Sequence, residues 1–393
     1  MIEAIGTYLP PWGDASGRVV AGDEDVVTMA VAAGLQAMVA AGADAARVRS
    51  LVLVTREQPL LVGGNGAALL AGLSLSPGID VREVLGGAPA ALEALATADT
   101  STLVVAADVL GGAGAAAVLT GVRGAAIAIT GRANRSLPVA TRDARGRTTD
   151  YADVRLLRER GVGASIEQAG LAGKADAVAG LTGRDAAALC SGDPPVLSTI
   201  GASSALFALA ALAERGDGGC VAAIEQATVA VAQLGSEPIA VARDEAAPQP
   251  AVVLREANEA DIAISLAAYE RAFDAKLRLE AARCTSCGLL AYPERHRCLG
   301  CGDEGATEPA ALPRDAEIYT LATIHVPVPG LATPYTIVLA ELGDSGVRLL
   351  VRLTGAPPGS VTIGDRGRMV FRRVAERMGV PDYGYAFLPE TAA

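Results

Sequence analysis

The chain has 393 residues, 51% of them hydrophobic and only 3% aromatic, and a formal net charge of −11. That length allows two or three domains around a core of Ala, Val, Leu and Gly, and the acidic balance excludes a nucleic-acid face, which needs basic charge. No apolar run approaches the roughly 18 residues of a membrane span, because Asp, Glu and Arg interrupt every Ala/Val-rich stretch.

The first 250 residues alternate short β-rich runs with Ala-rich helical windows. An acidic first turn at Asp23, Glu24 and Asp25, followed by Val27, Val31, Leu35 and Met38 at helical spacing, predicts a helix with one buried face. A strand follows at 51–54, then a helix around 67–73, a strand ending near Leu85, a helix starting at Pro89 and a strand at 103–107. A second round of similar grammar runs over 131–243, with helical windows at 151–161 and 183–189, a strand at 196–199, a helix at 203–214 and strands near 220–225 and 228–234. Repeated alternation of this kind predicts a layered α/β domain, and two tandem halves fit it. The segment DEAAPQP at 244–250 reads as a linker, and an amphipathic helix over 259–281 leads into the next motif. The domain plan is 1–250 for the layered domain, 251–282 for the linker helix, 283–312 for a Cys-rich module and 313–393 for a final β domain.

Cys284, Cys287, Cys298 and Cys301 are spaced C-x2-C-x10-C-x2-C in RCTSCGLLAYPERHRCLGCGDEG. Each pair sits on a short Gly-containing turn that can aim two thiolates at one tetrahedral Zn2+. Two disulfides are the alternative, but the opening MIEAIGTYLP has no charged n-region, apolar h-region or cleavage site, so a cytoplasmic location and zinc are expected. Four thiolates fill the coordination sphere, which makes the zinc structural and His296 superfluous as a fifth ligand. Cys190 and Cys220 have no local base and read as small buried hydrophobes.

After the cysteines, strand-like runs at 317–325, 335–342, 347–353 and 368–374 are separated by turn sequences, which predicts a small, partly open β-barrel. Arg366, Arg368 and Arg372 are spaced by even numbers, so on a strand they share one face and can meet the phosphates of a ligand; a solvated strand face is the alternative. Tyr383 and Tyr385 read as core residues of this barrel.

These residues carry a resemblance that covers almost the whole chain. IGTYLPPW, EVLGGAPAALEAL and LSTIGASSALFALAAL resemble the thiolase superfamily, within it the hydroxymethylglutaryl-CoA synthase and type III ketoacyl synthase branch. From Ala282 onward, with PYTIVLAEL, IGDRGRMVFRR and YGYAFLPE, the chain resembles the zinc-ribbon plus OB-fold family associated with acyl-CoA enzymes. The resemblance implies a layered αβαβα domain followed by a zinc ribbon and an OB-fold barrel. It further implies a CoA thioester as ligand, met by Arg366, Arg368, Arg372 and His325, the last in a His-x-Pro feature of the family.

Measured against that family, the acyl-transfer machinery is missing. The position of the nucleophilic Cys, whose pKa is lowered at a helix N-terminus, falls at Gly86, or at Gly87 if the register shifts by one. No His occupies 183–196, the family's oxyanion Asn matches Ser198, and Arg56 takes the place of the synthase acid with Glu57 one residue later. Without a nucleophile the two-step acyl transfer cannot occur. The expected function is a non-catalytic subunit that pairs with a Cys-bearing thiolase in a hetero-oligomer, through the strand at 103–107. The assembly would carry out acyl-CoA C–C bond formation, acyl transfer or retro-aldol cleavage. The alternatives are an acyltransferase acting on acyl-CoA without a covalent Cys intermediate, and a scaffold that only binds acyl-CoA.

Overall fold

The computed structural model describes residues 1–14, 17–59, 64–136, 140–142, 147–150, 155–171, 173–252, 273–326, 332–377 and 380–390. The first half of the α/β domain runs Ile2–Leu9 (β1), Val26–Ala40 (α1), Ser50–Thr55 (β2), Gly66–Gly72 (α2), Asp80–Leu85 (β3), Ala88–Ala96 (α3), Thr102–Asp108 (β4) and Gly114–Thr120 (β5). The second half runs Ile127–Asn134 (β6), Ala164–Gln168 (α4), Ala177–Ala179 (β7), Gly183–Leu189 (α5), Ser203–Arg215 (α6), Gly219–Glu225 (β8) and Thr228–Leu234 (β9). Ala240–Glu245 (β10) then returns to the first sheet and pairs parallel with β1.

The two sheets have strand orders β10-β1-β5-β4-β2-β3 and β7-β8-β9-β6. Every residue of β4 is buried, which is why it reads as a continuous apolar run rather than an alternating one. Leu103, Val105 and Ala107 pack toward α1, whereas Val104 and Ala106 pack toward α3 and α6. The inner faces of both sheets clasp α3 and α6, whose alanines allow close approach. The outer face of the second sheet is covered by Val162, Ala169 and Ala186. The result is five layers in the order αβαβα.

The ribbon consists of Glu280–Cys284 (β11), Leu290–Ala291 (β12) and Thr307–Ala311 (β13), ordered β12-β11-β13. The barrel consists of Asp315–Ile324 (β14), Tyr335–Leu342 (β15), Arg348–Arg352 (β16), Arg366–Arg377 (β17) and Val380–Pro389 (β18), ordered β16-β15-β14-β17-β18. A bridge between Leu353 and Phe387 draws the first and last strands together. Phe371 stacks on Tyr383 at 5.5 Å, and both Tyr383 and Tyr385 are buried as core residues. No helix among the described residues is long and apolar enough to cross a membrane.

Several local expectations change. Asp23, Glu24 and Asp25 precede α1 rather than form its first turn: Asp25 is the N-cap and accepts from Thr28 N at 3.0 Å. Residues 196–199 form a loop, not a strand, because they lead directly into α6. The window at 151–161 lies partly outside the described residues, and Leu156–Gly163 forms a π-helix. Of the helix expected over 259–281, residues 259–272 lie outside the described residues. Residues 273–278 are helical, and the ribbon strand β11 takes over at Glu280, ahead of the boundary drawn at 283. The strand at 103–107, expected to pair with a partner, is flanked by β2 and β5 and has no free edge. The edges of this sheet, among the described residues, are β3 and β10.

Candidate functional site

The four ribbon thiols converge. Cys284 and Cys287 come from the turn after β11, Cys298 and Cys301 from the second turn, and all four sulfurs lie within 4.8 Å of one another. Cys284 Sγ is 3.8 Å from Cys301 Sγ, and Cys287 Sγ is 3.5 Å from Cys298 Sγ. A tetrahedron with Zn–S bonds of about 2.3 Å has edges of about 3.8 Å, so the geometry and donor set fit a zinc ribbon. The Gly300 N–H donates to Cys298 Sγ at 3.4 Å, a contact that favours the thiolate a metal needs. His296 lines the small cavity beside these sulfurs but is not part of the converging set.

At the start of α3 lies the position where the sequence resemblance expects a nucleophile. Gly87 is its N-cap and Pro89 falls in its first turn, where a missing N–H is harmless. The Gly87 N–H donates to Glu225 Oε2 at 2.9 Å, and Arg56 Nη1 stands 3.5 Å from Glu225 Oε1. A Cβ on Gly87 would lie 2.6 Å from the Glu225 carboxylate, and a Cβ on Gly86 would lie 2.5 Å from Ala90 Cβ. A cysteine at Gly87 and the Glu225 carboxylate therefore compete for one space. Sequence reasoning placed Arg56 near this point but missed Glu225, which arrives from the end of β8.

Beside it, Asp108 at the end of β4 accepts from Ala202 N, Ser203 N and Ser203 Oγ at 2.8, 2.7 and 2.6 Å, capping α6. Burial pushes its carboxyl up to about 6, against those hydrogen bonds. Glu57 Oε2 accepts from Val109 N at 2.6 Å and Leu110 N at 3.3 Å, fixing the exit of β4. Ser198 lies on the loop entering α6, with its carbonyl turned to Gly112. Cys190 and Cys220 sit in or against the outer core of the second sheet, and burial raises both thiols.

The arginines expected to meet phosphates do share a face of β17, but at Arg368 and Arg372 that face is turned to the α/β domain. Arg372 is 1% exposed; its Nη2 lies 3.3 Å from Glu24 Oε1 and donates to Tyr8 Oη at 2.9 Å, while the Tyr8 hydroxyl donates to Glu24. Arg368 Nη2 reaches both oxygens of Asp244, at 2.8 and 2.6 Å. Tyr383 Oη donates to Asp25 Oδ2 at 2.9 Å. Arg372 and Arg368 thus join the barrel to α1 and β10 instead of offering charge to a ligand. Arg366 is exposed, in a shallow groove with Asp315, Glu317, Glu341, Asp344 and Glu390, an acidic setting that repels phosphate. His325 is exposed at the end of β14.

Residues 310–372 match the ChsH2 C-terminal OB-fold domain family. The chain is 31% identical over 120 residues to a DUF35 domain-containing scaffold protein of Methanothermobacter thermautotrophicus, covering 30% of this chain and 90% of that protein. It is 32% identical over 111 residues to benzoylsuccinyl-CoA thiolase subunit BbsA of Thauera aromatica, covering 28% of this chain and 74% of that protein. The α/β region is similar in fold to OleA of Xanthomonas campestris, with a TM-score of 0.50 at 16% identity over 60% of this chain and 97% of that one. Through its C-terminal module the chain belongs to the DUF35 family, carrying that module fused behind a thiolase-like α/β region.

Proposed function

We propose that this protein is a non-catalytic subunit that associates with a Cys-bearing thiolase in an acyl-CoA C–C bond-forming, acyl-transfer or retro-aldol complex. The observation that carries the proposal is the Glu225 carboxylate seated on the Gly87 N–H, in the space a nucleophilic side chain would need. The names of two relatives, a scaffold protein and a thiolase subunit, support the same reading. In it the ribbon holds a structural Zn2+ through Cys284, Cys287, Cys298 and Cys301, and the CoA thioester is bound jointly with the partner rather than by the arginine face of β17.

The partner surface in this reading is the β3 edge. β3 is one of the two edge strands of the six-stranded sheet, β10 being the other, and Leu85 at its end is 70% exposed. Strand addition at such an edge pairs its free backbone groups. The rival acyltransferase without a covalent intermediate would need a free backbone donor near Gly86 and Gly87, and the Gly87 N–H is already committed to Glu225.

The test is purification of tagged protein from its native host under gentle conditions, followed by native mass spectrometry. A thiolase in stoichiometric amount is the expected result. A homodimer that recruits none, or turnover of an acyl-CoA by the lone chain, overturns the proposal.

A further inference from the structure

The barrel is joined to the α/β domain through β17 and β18, where Arg368, Arg372 and Tyr383 are engaged. The face of β14, β15 and β16 that points away from the barrel core is a separate surface. In β15, Thr336, Val338, Ala340 and Leu342 are buried, so Tyr335, Ile337, Leu339 and Glu341 point outward. A sheet with one solvated face ordinarily alternates apolar inside with polar outside; Ile337 and Leu339 break that pattern. Register extends the apolar patch across three strands: Leu339 sits between Thr320 of β14 and Leu350 of β16, and Ile337 between Ala322 and Arg352. Leu350 is 69% exposed, and Tyr319, at the irregularity in β14, is 50% exposed.

The patch has a charged border. The two arginines flanking Leu350 are occupied within the chain. Arg348 stacks on Tyr319 at 3.5 Å and donates to Glu341 at 2.6 Å, and Arg352 lies 5.5 Å from the Tyr335 ring centre. Tyr319 also lines the acidic groove beside Arg366, which makes groove and patch one surface. In the groove Glu317 has Arg366 at 3.9 Å and Glu341 has Arg348, but Asp315, Asp344 and Glu390 form no ion pair among the described residues.

We infer that this face of the barrel is a docking surface for a protein partner that lays aliphatic side chains over Leu339 and Leu350 and sets lysine or arginine side chains into the groove. Charge selects this occupant over the others. The uncompensated carboxylates repel the phosphates of CoA or nucleic acid, and a second copy of this chain brings the same carboxylates and a net charge of −11. The aliphatic patch supplies contact area, and the carboxylates supply selection among partners. The surface stands on the barrel, apart from the β3 edge and the start of α3, so it goes beyond the proposed function.

The test uses the full-length protein and, as probe, a short synthetic peptide of alternating lysine and leucine. Control peptides alternate lysine with serine and glutamate with leucine. Isothermal calorimetry should show the lysine-leucine peptide binding about tenfold more tightly than either control. Leu350→Ser, at an exposed position outside the barrel core, should weaken that binding about tenfold. Asp344→Asn combined with Glu390→Gln should weaken it about threefold. Hydrogen exchange in the bound protein should slow over 335–342 and 348–352. No binding, equal binding of the lysine-serine peptide, or slowed exchange confined to other segments overturns the inference. None of these results depends on whether a thiolase co-purifies, so failure here is distinguishable from failure of the proposed function.

Discussion

In the ribbon, thiols from two turns, with the outermost cysteines 17 residues apart, converge on a point that is suited to a metal. At the start of α3, a carboxylate from 138 residues away fills the point where the sequence resemblance expects a nucleophile. The first arrangement is made by local spacing and suits a group from outside the chain; the second is made by sheet topology and is satisfied by the chain itself. The difference teaches that short-range spacing can gather donors at one point, whereas sheet topology can bring a distant carboxylate onto a helix start.

The largest effect should come from the ribbon. Cys298→Ser is expected to remove the metal and unfold the ribbon, since thiolate coordination supplies about 10–16 kcal/mol of binding free energy to such small modules. Metal analysis together with limited proteolysis around 280–311 checks this, and metal-free protein with an unchanged ribbon would break the comparison.

Next is the clamp between barrel and α/β domain. Arg372→Met leaves the buried Glu24 with its Tyr8 and Ala21 hydrogen bonds but no cation, and should destabilise the protein by about 3–5 kcal/mol in urea unfolding. Burial raises the Glu24 carboxyl despite Arg372, so the loss should shrink in acid as Glu24 takes up a proton. A loss that does not vary with pH would argue against a buried pair.

Asp108 sharpens the α3 and α6 contrast. Its carboxyl is raised from 3.8 to about 6, so the folded state holds the proton more tightly than the unfolded chain. That contribution is fully present below the unfolded value and is lost as pH rises through about 6, a change of about 3 kcal/mol. Asp108→Asn lacks this dependence and should gain about 3 kcal/mol on wild type between roughly pH 4 and pH 7. A constant difference between the two unfolding series contradicts the burial.

The smallest effects lie at Gly87 and Arg368. Gly87→Ala should cost about 1–3 kcal/mol by crowding Glu225, relieved when combined with Glu225→Ala. Arg368→Ala should cost less than about 1 kcal/mol, because the Arg368 side chain is 40% exposed beside Asp244. Thermal melts of the single and double variants decide both.

Much of the fold was legible because its signals are local. The apolar runs at β2 and β4, the Pro89 helix start, the paired cysteines and the barrel strand at 335–342 each announce themselves within a few residues. The site was less legible because its partners are distant in the chain. Even spacing placed Arg366, Arg368 and Arg372 on one face of β17, but nothing in the spacing says that the face meets Glu24 and Asp244. The Leu103 to Ala107 run was read as a pairing strand, yet complete burial is the mark of an interior position, with the exposed, mixed sequence of β3 at the edge. Glu225 had no signal beyond an acid at the end of an apolar run, and only the sheet topology that carries it to Gly87 gives it meaning.

The most direct measurement is acyl trapping on the lone purified chain. Incubation with a radiolabelled acyl-CoA, followed by acid quench and mass spectrometry of the intact protein, should leave the mass unchanged and the thioester intact. A protein-bound acyl group on any side chain would contradict the account.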